Sequence, residues 1–279
     1  MVIAVLLVLG LCLGSFANAL IWRLHEQSKT GKKKPNKQYM ERLSIVRGRS
    51  MCSRCHHELA PRDLIPVVSW LMLGGKCRYC HKPIADSPLI ELSLPVLFVT
   101  SYLWWPMAFS FPQAVIFGLW LVLLVGLVAL AVYDLRWMLL PDRLVFPLMT
   151  VAGLQALLVV LTANRPFIAL LNVVGAVAVG GGLFYVLFQV SAGKWIGGGD
   201  VKLGWLLGLI VATPSRSLLF IFVAAVLGSL VALPFLWNGR LKRTSIIPFG
   251  PFLIVGAIVT QLFGIHILGW YQHMFLPFG

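Results

Sequence analysis

The sequence predicts an all-α polytopic membrane protein of about eight transmembrane helices, with a cytoplasmic zinc-ribbon-like insertion between the first two. Three observations predict it. Hydrophobic residues make up 59% of the 279 and charged residues only 11%. Several apolar runs approach the roughly 20 residues that a helix needs to cross a bilayer, and they are continuous rather than alternating, which argues against a membrane barrel. Basic residues are unevenly spread, with 14 Lys and Arg against five Asp and Glu in residues 23–88. Length used alone suggests about two soluble domains, but the apolar runs make most of the chain one helical bundle.

Apolar runs and their breakers place spans at about 2–22, 89–108, 112–133, 143–161, 167–191, 201–213, 216–236 and 249–270. The organisation that follows is a first transmembrane helix over 1–22, a basic loop with a four-cysteine module over 23–88, and a membrane-embedded bundle over 89–279. The first run has no basic residue before it and no small-residue cleavage site after it, so it reads as a retained span. Cys12 within it reads as a packed thiol. The sixth run is short for a perpendicular crossing and needs extension, tilt or shelter from its neighbours.

Charge tests this threading. With the 23–88 loop inside, 21 of the 23 Lys and Arg fall on the cytoplasmic side and only Arg165 and Arg216 fall outside, as the positive-inside tendency requires. Both termini are then expected outside. Because the excess charge partitions by membrane face, no nucleic-acid partner is expected. The polar stretch around Lys32, Lys33 and Lys34 has two readings, a solvated segment or attraction to anionic membrane lipids.

Cys52 and Cys55 form one Cys-x-x-Cys pair, Cys77 and Cys80 a second, with 21 residues between the pairs. Two such knuckles can close a tetrahedron of thiolates, and the spacing suits a two-knuckle zinc ribbon. Four thiolates leave no position for water, so the zinc is expected to be structural. A reducing cytoplasm disfavours disulfides. A redox pair is the other reading, weakened by the lack of a βαβ context. His56, His57 and His81 beside the knuckles read as solvated or supporting residues rather than ligands.

Asp134 closes the third run and Asp200 opens the sixth, within Trp195-Ile-Gly-Gly-Gly-Asp-Val-Lys202. Charge at that depth costs several kcal/mol unless it faces a wet cavity or a partner, by roughly the scale of membrane insertion data. The threading puts both carboxylates on one membrane face. Two adjacent carboxylates can share a proton, one activating water and the other polarising a scissile carbonyl, without a metal or a nucleophilic side chain. Each has a blander reading, since Asp beside glycines also caps helices. Asp134 at a helix C-terminus and Asp200 at a helix N-terminus meet opposite dipole ends, which predicts Asp134 as the more protonated partner. Asp142, after Pro141, reads as a helix-initiating residue. Gly197, Gly198 and Gly199 read either as a cleft wall using φ > 0 or as close-packing positions. Lys202 reads as the partner of an anion or as a snorkelling interfacial lysine.

Together these residues resemble the type IV prepilin peptidase family of membrane aspartyl proteases. The resemblance is carried by Gly14-Ser15-Phe16-Ala17-Asn18 with Arg23, both cysteine knuckles, Ser87-Pro88-Leu89-Ile90-Glu91, the segment from Asp134 to Pro141-Asp142, Gly197 to Lys202, and Pro248-Phe249-Gly250-Pro251-Phe252. Departures are Gly198 between two glycines, Ala17 for a larger apolar residue, His25 where proline is common, and Ser87 where an aromatic residue often precedes Pro88. The resemblance implies cleavage after a glycine in a pilin-like precursor that has a basic leader and an apolar helix, with Asp134 and Asp200 as the catalytic aspartates. It also implies N-methylation of the new terminus from S-adenosylmethionine, in a bacterial inner membrane. Two alternatives stand beside it: a peptidase alone, whose zinc loop serves as a lid or docking element, and a transporter whose aspartates relay protons.

Overall fold

A computed structural model describes residues 1–30, 41–44, 48–84, 88–237 and 247–275. The Lys32 to Lys34 cluster, Ser87, Arg240, Lys242 and Arg243 lie outside the described residues. The chain divides into two compact units, Met1–Leu103 and Trp104–Gly279.

In the first unit, helix α1 spans Val2–Thr30 and so runs past the apolar stretch that ends at Trp22. The extension has a local cause: Arg23, Leu24, Glu26, Gln27 and Lys29 are good helix formers and no Gly or Pro interrupts them. Arg23, only 6% exposed, donates from Nη1 to the Ser44 carbonyl and from Nη2 to the Gly48 carbonyl, both at 3.0 Å. Gln27 Nε2 donates to the Leu43 carbonyl at 2.8 Å. The polar end of α1 thereby anchors the segment that leads into the cysteine module. A short helix, α2 (Val68–Met72), lies between the knuckles, and α3 (Pro88–Leu103) runs against α1. Their close approach explains Gly14: a Cβ there would meet Glu91 Cα at 2.7 Å.

The second unit contains α4 (Phe111–Trp137), α5 (Asp142–Leu161), α6 (Pro166–Val190), α7 (Gly198–Val211), α8 (Pro214–Trp237) and α9 (Gly250–Phe275). Helix α4 buries Leu123 to Leu130 without a break, as a helix apolar on every side does when surrounded by protein. Helix α7 packs against α5, α6 and α9 and buries Leu203, Leu206, Leu207, Ile210 and Val211.

Each expected span corresponds to a helix, and the described residues contain no extended strand. Among them six helices, α1, α4, α5, α6, α8 and α9, are long and apolar enough to cross a membrane. The other two are shorter. Helix α7 has 14 residues, a length of about 21 Å at 1.5 Å per residue, against a hydrocarbon core of about 30 Å. Its shelter among three helices is what allows so short an apolar segment to sit in the bundle.

Candidate active site

Helix α4 ends where Met138 adopts a left-handed conformation, φ 52°, and donates its N–H to the Asp134 carbonyl at 2.8 Å. The turn that follows leads through Pro141 into α5. Asp134 itself points inward and is 6% exposed. Its carboxylate accepts the N–H of Gly250, the first residue of α9. The approach is close enough that a Cβ on Gly250 would lie 2.5 Å from Asp134 Oδ2.

Asp200 sits in the first turn of α7, whose N-cap is Gly197 at φ −76°, ψ 150°. The Asp200 N–H donates to the Gly197 carbonyl at 3.1 Å, and the Asp200 carboxylate accepts the Gly197 N–H in return. This is the return half of a capping box, built with Asp in the position usually held by Glu. Asp134 lies near enough for its charge to act on Asp200. One turn further along α7, Leu203 Cδ2 lies 3.5 Å from the position of a Gly250 Cβ. The end of α4 and the starts of α7 and α9 therefore converge on two carboxylates.

Two sequence expectations change here, and a third, the helix-initiating place of Asp142, holds with an added partner. The dipole comparison treated each aspartate on its own helix, whereas the Asp134 side chain meets the start of α9. Both carboxylates accept an N–H at a helix start, so helix dipoles do not set them apart. Gly197 does not use positive φ, and neither Gly198 nor Gly199 does. Gly199 serves close packing instead, since a Cβ there would meet Leu140 at 3.2 to 3.5 Å. Asp142, at the start of α5, is an ion-pair partner: Lys202 Nζ donates to its Oδ1 at 2.6 Å and lies 5.5 Å from the Phe146 ring centroid. Gly250 carries no role in the sequence reading beyond its place in a motif. Its signal was available, because the Pro248-Phe249-Gly250-Pro251 pattern marks a helix start, where N–H groups lack partners within the helix.

In the first unit the two knuckles have the same construction. Cys52 N–H donates to the His57 carbonyl and His56 N–H to the Cys52 carbonyl, both at 3.0 Å. Cys77 N–H donates to the Lys82 carbonyl and His81 N–H to the Cys77 carbonyl, both at 2.9 Å. His56 and His81 occupy equivalent positions, with φ 56° and 55°. Each knuckle is closed by one antiparallel bridge, Met51 with Glu58 and Lys76 with Pro83.

The four cysteine sulfurs lie within 4.8 Å of one another, and Cys52 Sγ is 4.0 Å from Cys80 Sγ. Metal–thiolate bonds of about 2.3 Å in a tetrahedron require sulfur separations of about 3.8 Å, so the cluster can hold a metal ion after small adjustments. His57 stacks on Tyr79 at 3.7 Å and so links one knuckle to the other. Asp63 accepts from Arg78 Nε at 2.8 Å, Tyr79 Oη at 3.2 Å and the Ala60 N–H at 3.3 Å. Burial pushes its carboxyl up, but the Arg78 guanidinium and the other donors outweigh this and hold it below the usual carboxylate range.

The helical bundle and its converging carboxylates define a multi-pass membrane protein with two aspartates brought together, and the first unit adds a cluster of four cysteines that could hold a metal ion. Residues 8–105 match the family described as the bacterial peptidase A24 N-terminal domain, and residues 121–233 match the type IV leader peptidase family. The chain is 34% identical to the prepilin leader peptidase/N-methyltransferase of Burkholderia pseudomallei strain 1026b, over 95% of this chain and 86% of that protein. It is 34% identical to the protein of the same name from Stutzerimonas stutzeri, covering 95% and 92%, and 29% identical to that of Bacillus subtilis strain 168, covering 84% and 89%. No solved structure matches it. The chain belongs to the type IV leader peptidase family.

Proposed function

We propose that this chain cleaves the leader from type IV prepilin-like precursors with Asp134 and Asp200, and N-methylates the terminus that cleavage exposes. The observation that carries the peptidase reading is the convergence of these two carboxylates among the ends of α4, α7 and α9. The pair holds one proton between them and titrates as a unit. The ionised carboxylate takes a proton from water as the oxygen attacks the scissile carbonyl, and the protonated one donates a hydrogen bond to that carbonyl.

The same reading places the 23–88 segment and both aspartates at the cytoplasmic face of a bacterial inner membrane. A precursor with a basic leader ahead of an apolar helix would present its scissile bond at that interface. The metal is zinc held by Cys52, Cys55, Cys77 and Cys80, in a structural role because four thiolates complete its coordination. Methylation takes its methyl group from S-adenosylmethionine, and support for it comes from the double name of the relatives. The test is incubation of purified protein with a prepilin in lipid or detergent, beside Asp134→Asn and Asp200→Asn. Both variants should lose cleavage to background. Cleavage at the wild-type rate by either one removes the paired-aspartate mechanism.

A further inference from the structure

The charge partition leaves only Arg165 and Arg216 at the membrane face away from the aspartates. Arg165 is exposed at the start of α6. Arg216 is half-buried, in the first turn of α8. Its stem lies along α9, with Cγ 3.7 Å and Nε 3.8 Å from where a Gly264 Cβ would stand. A side chain leans toward the N-terminus of its helix, so Arg216 is directed away from the aspartate end of the bundle. The rise of α9 from Gly250, beside Asp134, to Gly264 is about 21 Å. In a hydrocarbon core about 30 Å thick, a guanidinium extending further along that direction snorkels to the headgroup level of the far leaflet.

A charge at this depth needs a counter-charge. The second unit has only three Asp and Glu side chains, Asp134, Asp142 and Asp200. Asp134 and Asp200 form the paired site and Asp142 is held by Lys202, so all three lie at the other end of the bundle. No described hydrogen bond or ion pair engages the Arg216 guanidinium. Other groups beside it also lack partners. Thr260 is fully buried, its Cγ2 stands 3.2 Å from the same Gly264 position, and its hydroxyl has no partner. Thr213, just before α8, leaves its own buried hydroxyl unpaired, so it does not cap the helix. Ser217 is the first residue of α8 whose N–H reaches a carbonyl, that of Thr213 at 3.0 Å. The Ser215 and Arg216 N–H groups are left open at the positive end of the helix dipole.

We propose that Arg216, the open N–H groups of the α8 start and the Thr260 hydroxyl bind the phosphate of an anionic phospholipid in the leaflet opposite the aspartates. Each of these groups donates hydrogen bonds, and a phosphate oxygen accepts them. A guanidinium meets two phosphate oxygens at once, and a helix start adds backbone donors and a favourable dipole. The ligand is a lipid because the site opens beside acyl chains: α8 is largely uncovered, with Leu218 and Phe222 exposed. It is anionic because a zwitterionic headgroup brings an ammonium of its own. The second unit offers no carboxylate side chain at this end to receive that ammonium, so only a net negative headgroup neutralises Arg216.

The test uses the full chain in detergent with a phosphatidylglycerol that carries a photoreactive group close to its phosphate. Crosslinking of the wild-type protein followed by peptide mapping should place the label on the peptide containing Arg216 or the one containing Thr260. Arg216→Gln should reduce that labelling about tenfold or more, the scale of one charge-assisted hydrogen bond. Arg216→Lys should recover part of it, since an ammonium keeps the charge and loses the two-pronged geometry. Arg165→Gln should label as the wild type does. In lipid-free detergent Arg216→Gln should melt at the wild-type temperature, because no protein partner is lost, and added phosphatidylglycerol should stabilise the wild type more than the variant. Unlabelled phosphatidylglycerol should compete with the label, whereas phosphatidylcholine of the same chains and an excess of inorganic phosphate should not. Equal labelling of Arg216→Gln and wild type, or displacement of the label by phosphatidylcholine or by inorganic phosphate alone, overturns the assignment. Absence of label from both peptides of the wild-type protein overturns it whatever the variants do.

Discussion

Replacing Gly250 with alanine tests the convergence at the carboxylates more sharply than deleting either aspartate. The added Cβ would lie 2.5 Å from Asp134 Oδ2 and 3.3 Å from its Cγ, roughly 0.9 Å inside ordinary contact for the oxygen. Helix α9 is fixed by its packing against α4, α7 and α8, so the carboxylate is the part that must move. A displacement of about 1 Å in a positioned catalytic group costs on the order of 100-fold in rate. The expected result is a kcat for prepilin cleavage reduced about 100-fold with KM little changed, measured by gel shift of a purified precursor. Gly182→Ala is the matched control, since nothing lies within 4 Å of its added Cβ. Cleavage by Gly250→Ala at the rate of the Gly182→Ala control would refute the proposed contact between α9 and Asp134.

Elemental analysis of the purified protein should find one equivalent of zinc, and removing it, by chelation or by Cys77→Ser, should expose residues 48–84 to protease, because structural thiolate sites supply folding free energy directly. Asp63→Asn should loosen the same module at neutral pH. The Asp63 carboxyl is held below its usual range in the fold, so its contribution is present above the unfolded value of about 3.9 and disappears as pH falls through the lower folded value. The difference in protease sensitivity between wild type and Asp63→Asn should accordingly begin to shrink as pH falls below about 4 and vanish only below the lower folded value, and a difference that stays constant through that range would contradict the assigned ion pair. Asp142→Asn should lower cleavage about tenfold or less by releasing Lys202, an ion pair half open to solvent and of modest strength. The charge-swapped pair Asp142→Lys with Lys202→Asp should recover more activity than Lys202→Asp alone.

The parts of the fold readable in the sequence were those with a local cause. Eight apolar runs became eight helices because hydropathy acts residue by residue. The cysteine spacing was readable because a tetrahedral site requires it. Asp134 and Asp200 stood out because the chain has only nine carboxylates and an apolar surround makes each of them costly. The extension of α1 to Thr30 was missed because the apolar stretch ends before helix propensity does. The likeness of the two knuckles was available in the repeated Cys-x-x-Cys-His, since it emerges once Cys52-Ser-Arg-Cys-His is laid over Cys77-Arg-Tyr-Cys-His. The contacts of Gly250 with Asp134 and of Lys202 with Asp142 join residues far apart in the chain. They depend on which helices end beside one another, and no local pattern carries that information.

Lys202 also bears on how two carboxylates can share a proton at this site. A cation beside either one would favour full ionisation and dissolve the shared state. Lys202 is only two residues from Asp200, yet residues at that spacing on a helix point in different directions. Its ammonium goes to Asp142 and lies near the Phe146 ring. What the carboxylates receive instead is a neutral backbone donor each, from Gly197 and from Gly250. A backbone N–H steadies a carboxylate without adding the full charge that would fix both in one state. Asp142 thus keeps Lys202 occupied, and on the proposed mechanism this is why its replacement should reduce cleavage although it touches neither aspartate in any described contact.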